Sequence, residues 1–342
     1  MDKIISVKIC IIVITVGMFL GTGVLALTVS PPVFELGADP DTSFGQNLKI
    51  FNETDSSITV YTSTANFTAK AGEEGVPEFL EQEEDIKDLA EWIKIEKGPI
   101  TILPKKEKVI PFTIEVPVNA DPGGHYAAIF LGTQPPEKQG TGVGIAGKLG
   151  SLVLLRVSGD IQEQGRLLDF SLKDGKKIYK HLPVDFIFEF ENSGNVHLKP
   201  QGEILIKNIL GRISNEGKIE VNKPIIGSGK NVLPGTIRHF EVSWTKAVDE
   251  NKDENESISQ GFLEELKAEK AHFAFGRYKA ELFLDYGTQG KKAKATVVFW
   301  VLPWHLILVC FLIAIVLITL LILSIKKYNR WIIKKAAEAK KV

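Results

Sequence analysis

Apolar and polar side chains alternate with a period of two over much of this chain. The pattern is clearest where Phe186, Phe188 and Phe190 interleave with Asp185, Glu189 and Glu191. That is the spacing of a strand with one face buried. Short runs of β-branched and aromatic residues bounded by turn formers recur: "NLKIF", "SITVYT", "VIPFTIEV", "AAIFL" and "LGSLVLLRV" in the first half. The second half adds "VDFIFEFEN", "EILIKNI", "HFEVSW", "YKAELFLDYG" and "KATVVFWV". Such runs predict an all-β chain of two tandem immunoglobulin-like β-sandwiches, spanning 27–160 and 161–302, with short helical insertions.

Two stretches depart from the strand period. In "EFLEQEEDIKDLAEWIKIE", within 73–96, Phe79, Leu80, Ile86, Leu89 and Trp92 partly follow helical spacing and predict a short surface helix. A charged insertion over 248–273 starts with "DENKDENES" and runs into a second helical stretch with Phe262, Leu263 and Leu266.

The ends differ from the middle. Lys3 and Lys8 flank a short n-region, Ile9 to Leu20 is apolar, and Val24-Leu25-Ala26 offers small residues for cleavage, so 1–26 reads as a secretory signal. Leu306 to Ile325 is uncharged, and twenty residues at about 1.5 Å rise cross about 30 Å of hydrocarbon, predicting a transmembrane helix over 303–325. Trp300, Trp304, Tyr328 and Trp331 flank it at headgroup level. The tail 326–342 carries seven basic residues against Glu338, a net +6, and is expected in the cytoplasm with the rest outside.

That topology changes the meaning of the overall charge of −1. Without the tail and the n-region the middle carries −8, which argues against a nucleic-acid partner. Cys10 and Cys310 both lie in apolar end segments, so no disulfide staples the part between and each sandwich has to bury its own core.

Laying the halves together aligns three junctions in the same order. "IFN" ending at Asn52 faces "FEN" ending at Asn192, and "ILPKKEKVIPFTIEV" faces "VLPGTIRHFEVSW". "DPGGHYAAIFLG" faces "FGRYKAELFLDYG", sharing Gly-x-Tyr-x-Ala. In immunoglobulin-like domains a tyrosine at the start of a late strand turns a corner, its hydroxyl returning to upstream backbone. Gly124 with Tyr126, and Gly276 with Tyr278, are expected to fill that role.

Chemical motifs are sparse. Gly142, Gly144 and Gly147 match G-x-G-x-x-G, but the run precedes a strand where a dinucleotide cradle needs a helix. Asp249, Asn251, Asp253 and Asn255 alternate like a calcium loop, yet Glu254 stands where glycine is needed and Gln260 where glutamate is needed. The six histidines lack zinc spacing, no serine sits in G-x-S-x-G, and Glu83-Glu84-Asp85 lies on a polar face. "LPWHL" lacks the Thr-Gly of a sortase signal. The expectation is no enzyme, no metal and no cofactor.

"SPPVFELGADPDTS", "NLKIFNETDSSITVY", "LAEWIKI", "ITILPKKEKVIPFTIEVP" and "ADPGGHYAAIFLG", in this order over Thr28 to Gly159, resemble the peptidoglycan-binding domain (DUF916-like) of WxL-interacting proteins of bacterial cell surfaces. The second domain matches that family less well. The resemblance implies a non-catalytic, membrane-anchored envelope scaffold. Domain one would bind cell-wall glycan or another envelope polymer, and domain two another surface protein. Trp92 and His125 are the candidate ligand contacts, by stacking and hydrogen bonding. The alternative is a chaperone-like or purely structural ectodomain whose sheet edges receive client strands.

Overall fold

A computed structural model describes residues 27–69, 77–80, 88–133, 149–221, 230–245 and 261–339. The expected secretory signal, the Gly142–Gly147 run, the Asp249–Asn255 run and the acidic cluster at 83–85 lie outside them. The chain divides into two compact units that meet between Asp160 and Ile161.

The first unit is a β-sandwich. One sheet holds β1 (Leu27–Ser30), β3 (Ser43–Asn52), β8 (Glu107–Glu115) and β6 (Ile93–Ile95), in the order β1-β3-β8-β6. The other holds β2 (Val33–Ala38), β10 (Leu149–Val157), β9 (Gly123–Gly132), β4 (Ile58–Ala69) and β5 (Pro77–Phe79), with β7 (Ile100–Ile102) also on β4. β1 and β2 are one extended segment that changes sheets at Pro31-Pro32, where proline cannot donate to a ladder. The proline carbonyls then serve the second sheet, accepting from Ser151 Oγ at 2.7 Å and Leu152 N at 2.9 Å. Leu48, Ile50, Ile110, Ile114, Ile129 and Leu155 fill the space between the sheets.

The second unit repeats the plan. β11 (Gly165–Leu172), β13 (Val184–Asn192) and β16 (Thr236–Trp244) form one sheet. β12 (Ile178–Tyr179), β18 (Lys291–Val301), β17 (Gly276–Tyr286), β14 (Gln201–Asn208) and β15 (Ile213–Val221) form the other, in the order β12-β18-β17-β14-β15. Again the first strand changes sheets, and its second part runs parallel to the last, β2 on β10 and β12 on β18. The alternation in β13 turns Val184, Phe186, Phe188, Phe190 and Asn192 inward. Phe188 stacks on its cross-strand partner Phe240 at 4.6 Å.

The joint is built half into each unit. Ser158 N bonds to Ala38 O at 3.0 Å on one side; on the other, Gln162 N donates to Asn195 Oδ1 at 2.7 Å. The Glu163 carboxylate accepts from Thr288 N at 2.8 Å.

Three helices complete the described chain. Of the helix expected within 73–96, the described residues hold one turn, α1 (Leu89–Trp92), while Pro77–Phe79 and Ile93–Ile95 are strands paired on their sheets. In the second insertion α2 spans Phe262–Ala271. Helix α3 spans Trp304–Ala339; its Trp304–Ile333 part is long and apolar enough to cross a membrane by length and composition. α3 runs on through the basic residues after Ile325, so the basic tail continues the same helix as far as it is described.

Candidate functional site

The Pro-Gly-Gly-His-Tyr junction opens β9. Gly123 has φ 138°, a conformation that side chains disfavour. A Cβ on Gly124 would lie 2.0 Å from the Tyr126 hydroxyl, so the second glycine clears the way for that ring.

His125 points to the interior and lies against α1. Asp88 caps this helix, accepting from Leu89 N at 2.7 Å, and the same carboxylate oxygen meets His125 Nδ1 at 2.5 Å. His125 Nε2 reaches the Asp121 carbonyl at 2.8 Å. Both ring nitrogens thus face oxygen acceptors, which suits the doubly protonated ring. Burial opposes that charge, but the Asp88 hydrogen bond, the Asp121 carbonyl and the charges of Asp88 and Asp121 outweigh it and raise the pKa above 6.5. The Trp92 ring packs on the imidazole at 4.6 Å between centroids.

Trp92 and His125 are therefore brought together. Trp92 is 7% exposed, the His125 side chain is 13% exposed, and both tie α1 to β9. A stacking surface for glycan has to be open, and little of either ring is. Asp88 and Asp121, which complete the cluster, carry no sequence signal apart from their proximity to α1 and the glycine turn.

The two expected corners also separate. Tyr278 lies in the second core, its hydroxyl 3.2 Å from both the N and O of Phe275, with Gly276 at φ 116°. That is the corner geometry. Tyr126 has the opposite parity: Ala127, Ile129 and Leu131 face the first core, so Tyr126 and Phe130 fall on the outer face of the sheet. There Tyr126 meets Phe67 at 5.9 Å, Phe67 meets Phe79 at 6.0 Å, and Phe79 meets Phe130 at 4.8 Å. Phe79 is 40% exposed, so this cluster opens to solvent at that ring.

Sheet edges form the other candidate. In the first unit β8 pairs with β3 on one side and β6 on the other, Ile93 opposite Ile114 and Ile95 opposite Phe112. Its counterpart β16 runs nine residues and pairs only with β13 among the described residues. β15, the edge of the facing sheet, also runs nine residues and pairs only with β14. Two long edges thus bound the same side of the second sandwich, a feature that no local motif announces. Among the described residues no group of three His, Cys, Asp or Glu side chains is placed to hold a metal ion.

No protein-family model matches the chain, and no curated protein matches it. Among solved structures the class 5 fimbriae chaperone CfaA is similar at 10% identity and TM-score 0.34, covering 81% of this chain and 100% of that one. The Pseudomonas aeruginosa CupB2 chaperone is 8% identical at TM-score 0.33, covering 79% of this chain and 98% of that one. The E. coli chaperone DraB is 12% identical at TM-score 0.32, with the same coverages of 79% and 98%.

Proposed function

We propose that this chain is a non-catalytic envelope protein, held in a membrane by α3, whose second sandwich takes an extended segment of another surface protein along the edge of β16 that no other described strand pairs. The observation that carries the reading is the difference between β8 and β16. By register the two strands are equivalent: Leu48 sits opposite Ile110 and Phe188 opposite Phe240, each four residues before its matching asparagine. β8 has a third strand beside Phe112–Ile114, whereas the matching Val242–Trp244 of β16 has none among the described residues. An unpaired row of backbone donors and acceptors is a template for strand addition, which a chaperone for client strands and a scaffold for a fixed partner use alike.

The test is a photo-reactive residue placed in turn at each position from Ile237 to Trp244 of the full chain in its native membrane. Strand addition predicts one adduct of fixed mass whose yield alternates with a period of two. A crosslink within the chain itself, or none at any position, would reject the reading.

A second reading, in which the first sandwich holds cell-wall polymer as the WxL-interacting resemblance implies, is favoured by the half-open Phe79 beside Phe130. Sugar rings stack on such faces. Co-sedimentation of the full chain with purified sacculi checks it: binding that Phe79→Ala weakens and Trp92→Phe leaves intact supports this surface.

A further inference from the structure

The end of the second sandwich from which α3 departs is unusually apolar. β18 enters α3 through only Leu302 and Pro303, so its last residues mark the level at which the helix begins. Strand registers carry that level sideways: Gly276 lies opposite Val301, and Asn208 opposite Tyr278, which faces Phe299. The β14–β15 hairpin tip is therefore level with the root of α3 and about 10 Å to its side, two strand spacings away.

That tip is Asn208-Ile209-Leu210-Gly211. Its backbone is fixed without the apolar side chains: Asn208 Oδ1 accepts from Leu210 N at 3.0 Å and Arg212 N at 3.1 Å, and Gly211 N returns to Asn208 O at 2.9 Å. Polar residues are the usual occupants of such a turn. Here Ile209 is 72% exposed and Leu210 74%. One exposed aliphatic residue needs no explanation, but several sharing one end of a domain do.

Helix α2 supplies the rest. It is clamped onto the start of α3: the fully buried Glu269 accepts from Leu306 N at 2.8 Å and meets His305 Nδ1 at 2.6 Å, satisfying amides that a helix N-terminus otherwise leaves open. The Phe262 ring packs on His305 at 5.1 Å. So α2 lies at the same level as the hairpin tip, with Leu263 70% exposed. Phe273 and Phe275, 52% and 58% exposed, lie where α2 leads into β17. Arg212 and Lys270 lie among these residues along the chain.

We infer that this end of the second sandwich is a membrane-contacting foot: Ile209, Leu210, Leu263, Phe273, Phe275 and Trp304 enter the headgroup layer of the membrane that α3 crosses. The occupant is lipid, because the helix places the bilayer surface at this level, and because aromatic and aliphatic tips with flanking lysine and arginine suit the water–lipid boundary. The foot holds the sandwich against the surface, so the β15–β16 side is presented at a fixed height. The inference rests on α3 spanning the bilayer.

The test keeps the two apart. Full chains carrying Cys10→Ser, Cys310→Ser and one new cysteine at Leu210, Leu263, Gln289 or Leu317 are labelled with an environment-sensitive fluorophore. They are reconstituted into vesicles of phosphatidylethanolamine and phosphatidylglycerol. Spin-labelled lipids with shallow or deep nitroxides then report depth. The expected result is blue-shifted emission at 210 and 263, quenched at least about twofold by the shallow label as interfacial insertion requires. Position 289, in the turn at the opposite end of the sandwich, stays water-like, and 317 is quenched by the deep label. If 317 is quenched while 210 and 263 match 289, the foot is wrong and the span stands. If 317 is not quenched, the span itself fails, and the foot with it.

Discussion

The two sandwiches share a strand plan and a register yet differ in how they are finished, and the difference separates what the fold needs from what is left for function. Both end their second full strand in a buried asparagine. Asn52 Nδ2 donates to the carbonyls of Ser56 at 2.8 Å, Ile102 at 3.2 Å and Leu103 at 3.2 Å. Asn192 Nδ2 donates to those of Val196 at 2.7 Å and Val232 at 2.8 Å. In each case the amide joins the loop after the strand to the segment before the strand opposite. The first unit then closes that side with β6, while the second leaves β16 open among the described residues. What is held in common is what keeps a sandwich together; what differs lies at the edge to which the proposed partner strand would add.

Removing these asparagines is the largest expected way to disturb the common part. Asn192→Ala removes the bonds to the Val196 and Val232 carbonyls and to the Gly194 amide, Val232 O keeping only Leu198 N, and should cost the second unit about 3 kcal/mol. Asn52→Ala should cost less, about 1–2 kcal/mol, because two of its three carbonyl partners are only part-buried. Denaturant unfolding of the full chain in detergent reads both, Trp92 being the tryptophan of the first sandwich. Equal costs would mean that the two ties are not distinguished by burial.

The repeated junctions of the two halves, "IFN" with "FEN" and "ILP" with "VLP", are legible as a repeat from the order of residues alone. That these junctions touch each other within each domain is not, since matching two halves gives order and not contact. Parity is legible in one half only. In "YKAELFLDY" the charged Lys279, Glu281 and Asp285 mark the solvent face and send Tyr278 inward. In "HYAAIFLG" both faces are apolar, so nothing in the run says that Tyr126 points out, and identical spacing yields two different tyrosines. The buried roles of Trp92 and His125 are hidden for a related reason: Asp88 and Asp121 are 33 residues apart and meet only through the histidine between them.

A next, smaller effect is the loss of the corner bond in the second unit. Tyr278→Phe keeps the ring against Trp244, 5.0 Å away, and removes only the hydroxyl's bonds to Phe275, for about 1 kcal/mol. An unchanged midpoint would show that this corner is held by ring packing alone.

Acid and base should then tell the sandwiches apart with opposite signs. His125 has a raised pKa in the folded first unit, so its contribution is complete below about pH 6.5 and is lost as pH rises through the raised value. Glu281 of β17 bonds to Lys207 and Lys279, both at 2.7 Å, and its pKa falls to about 2. Its contribution is therefore complete above its ordinary 4.5 and is lost as pH falls toward 2. Unfolding midpoints measured across pH should show the first unit weakening on the alkaline side and the second on the acid side. His125→Gln should flatten the first trend and Glu281→Gln the second, without exchanging them.

The smallest effect concerns one position at which the two units solve the same turn differently. Lys105 and Gly235 follow the matched prolines Pro104 and Pro234, and both have positive φ, 53° and 71°. Glycine takes that conformation freely, while lysine bears about 1 kcal/mol of strain. Lys105 recovers part of it by donating to Glu53 O at 2.6 Å and pairing with Asp55 at 3.4 Å, both exposed contacts of low value. Glycine in turn loses more backbone freedom on folding. The terms nearly cancel, so Lys105→Gly should shift the first unit by no more than about 0.5 kcal/mol. Gly235→Lys has no such compensation prepared and should destabilise the second unit by about 1 kcal/mol. If the exchange proved symmetric, the Glu53 and Asp55 contacts would count for nothing, and the lysine would be strain that the first sandwich merely tolerates.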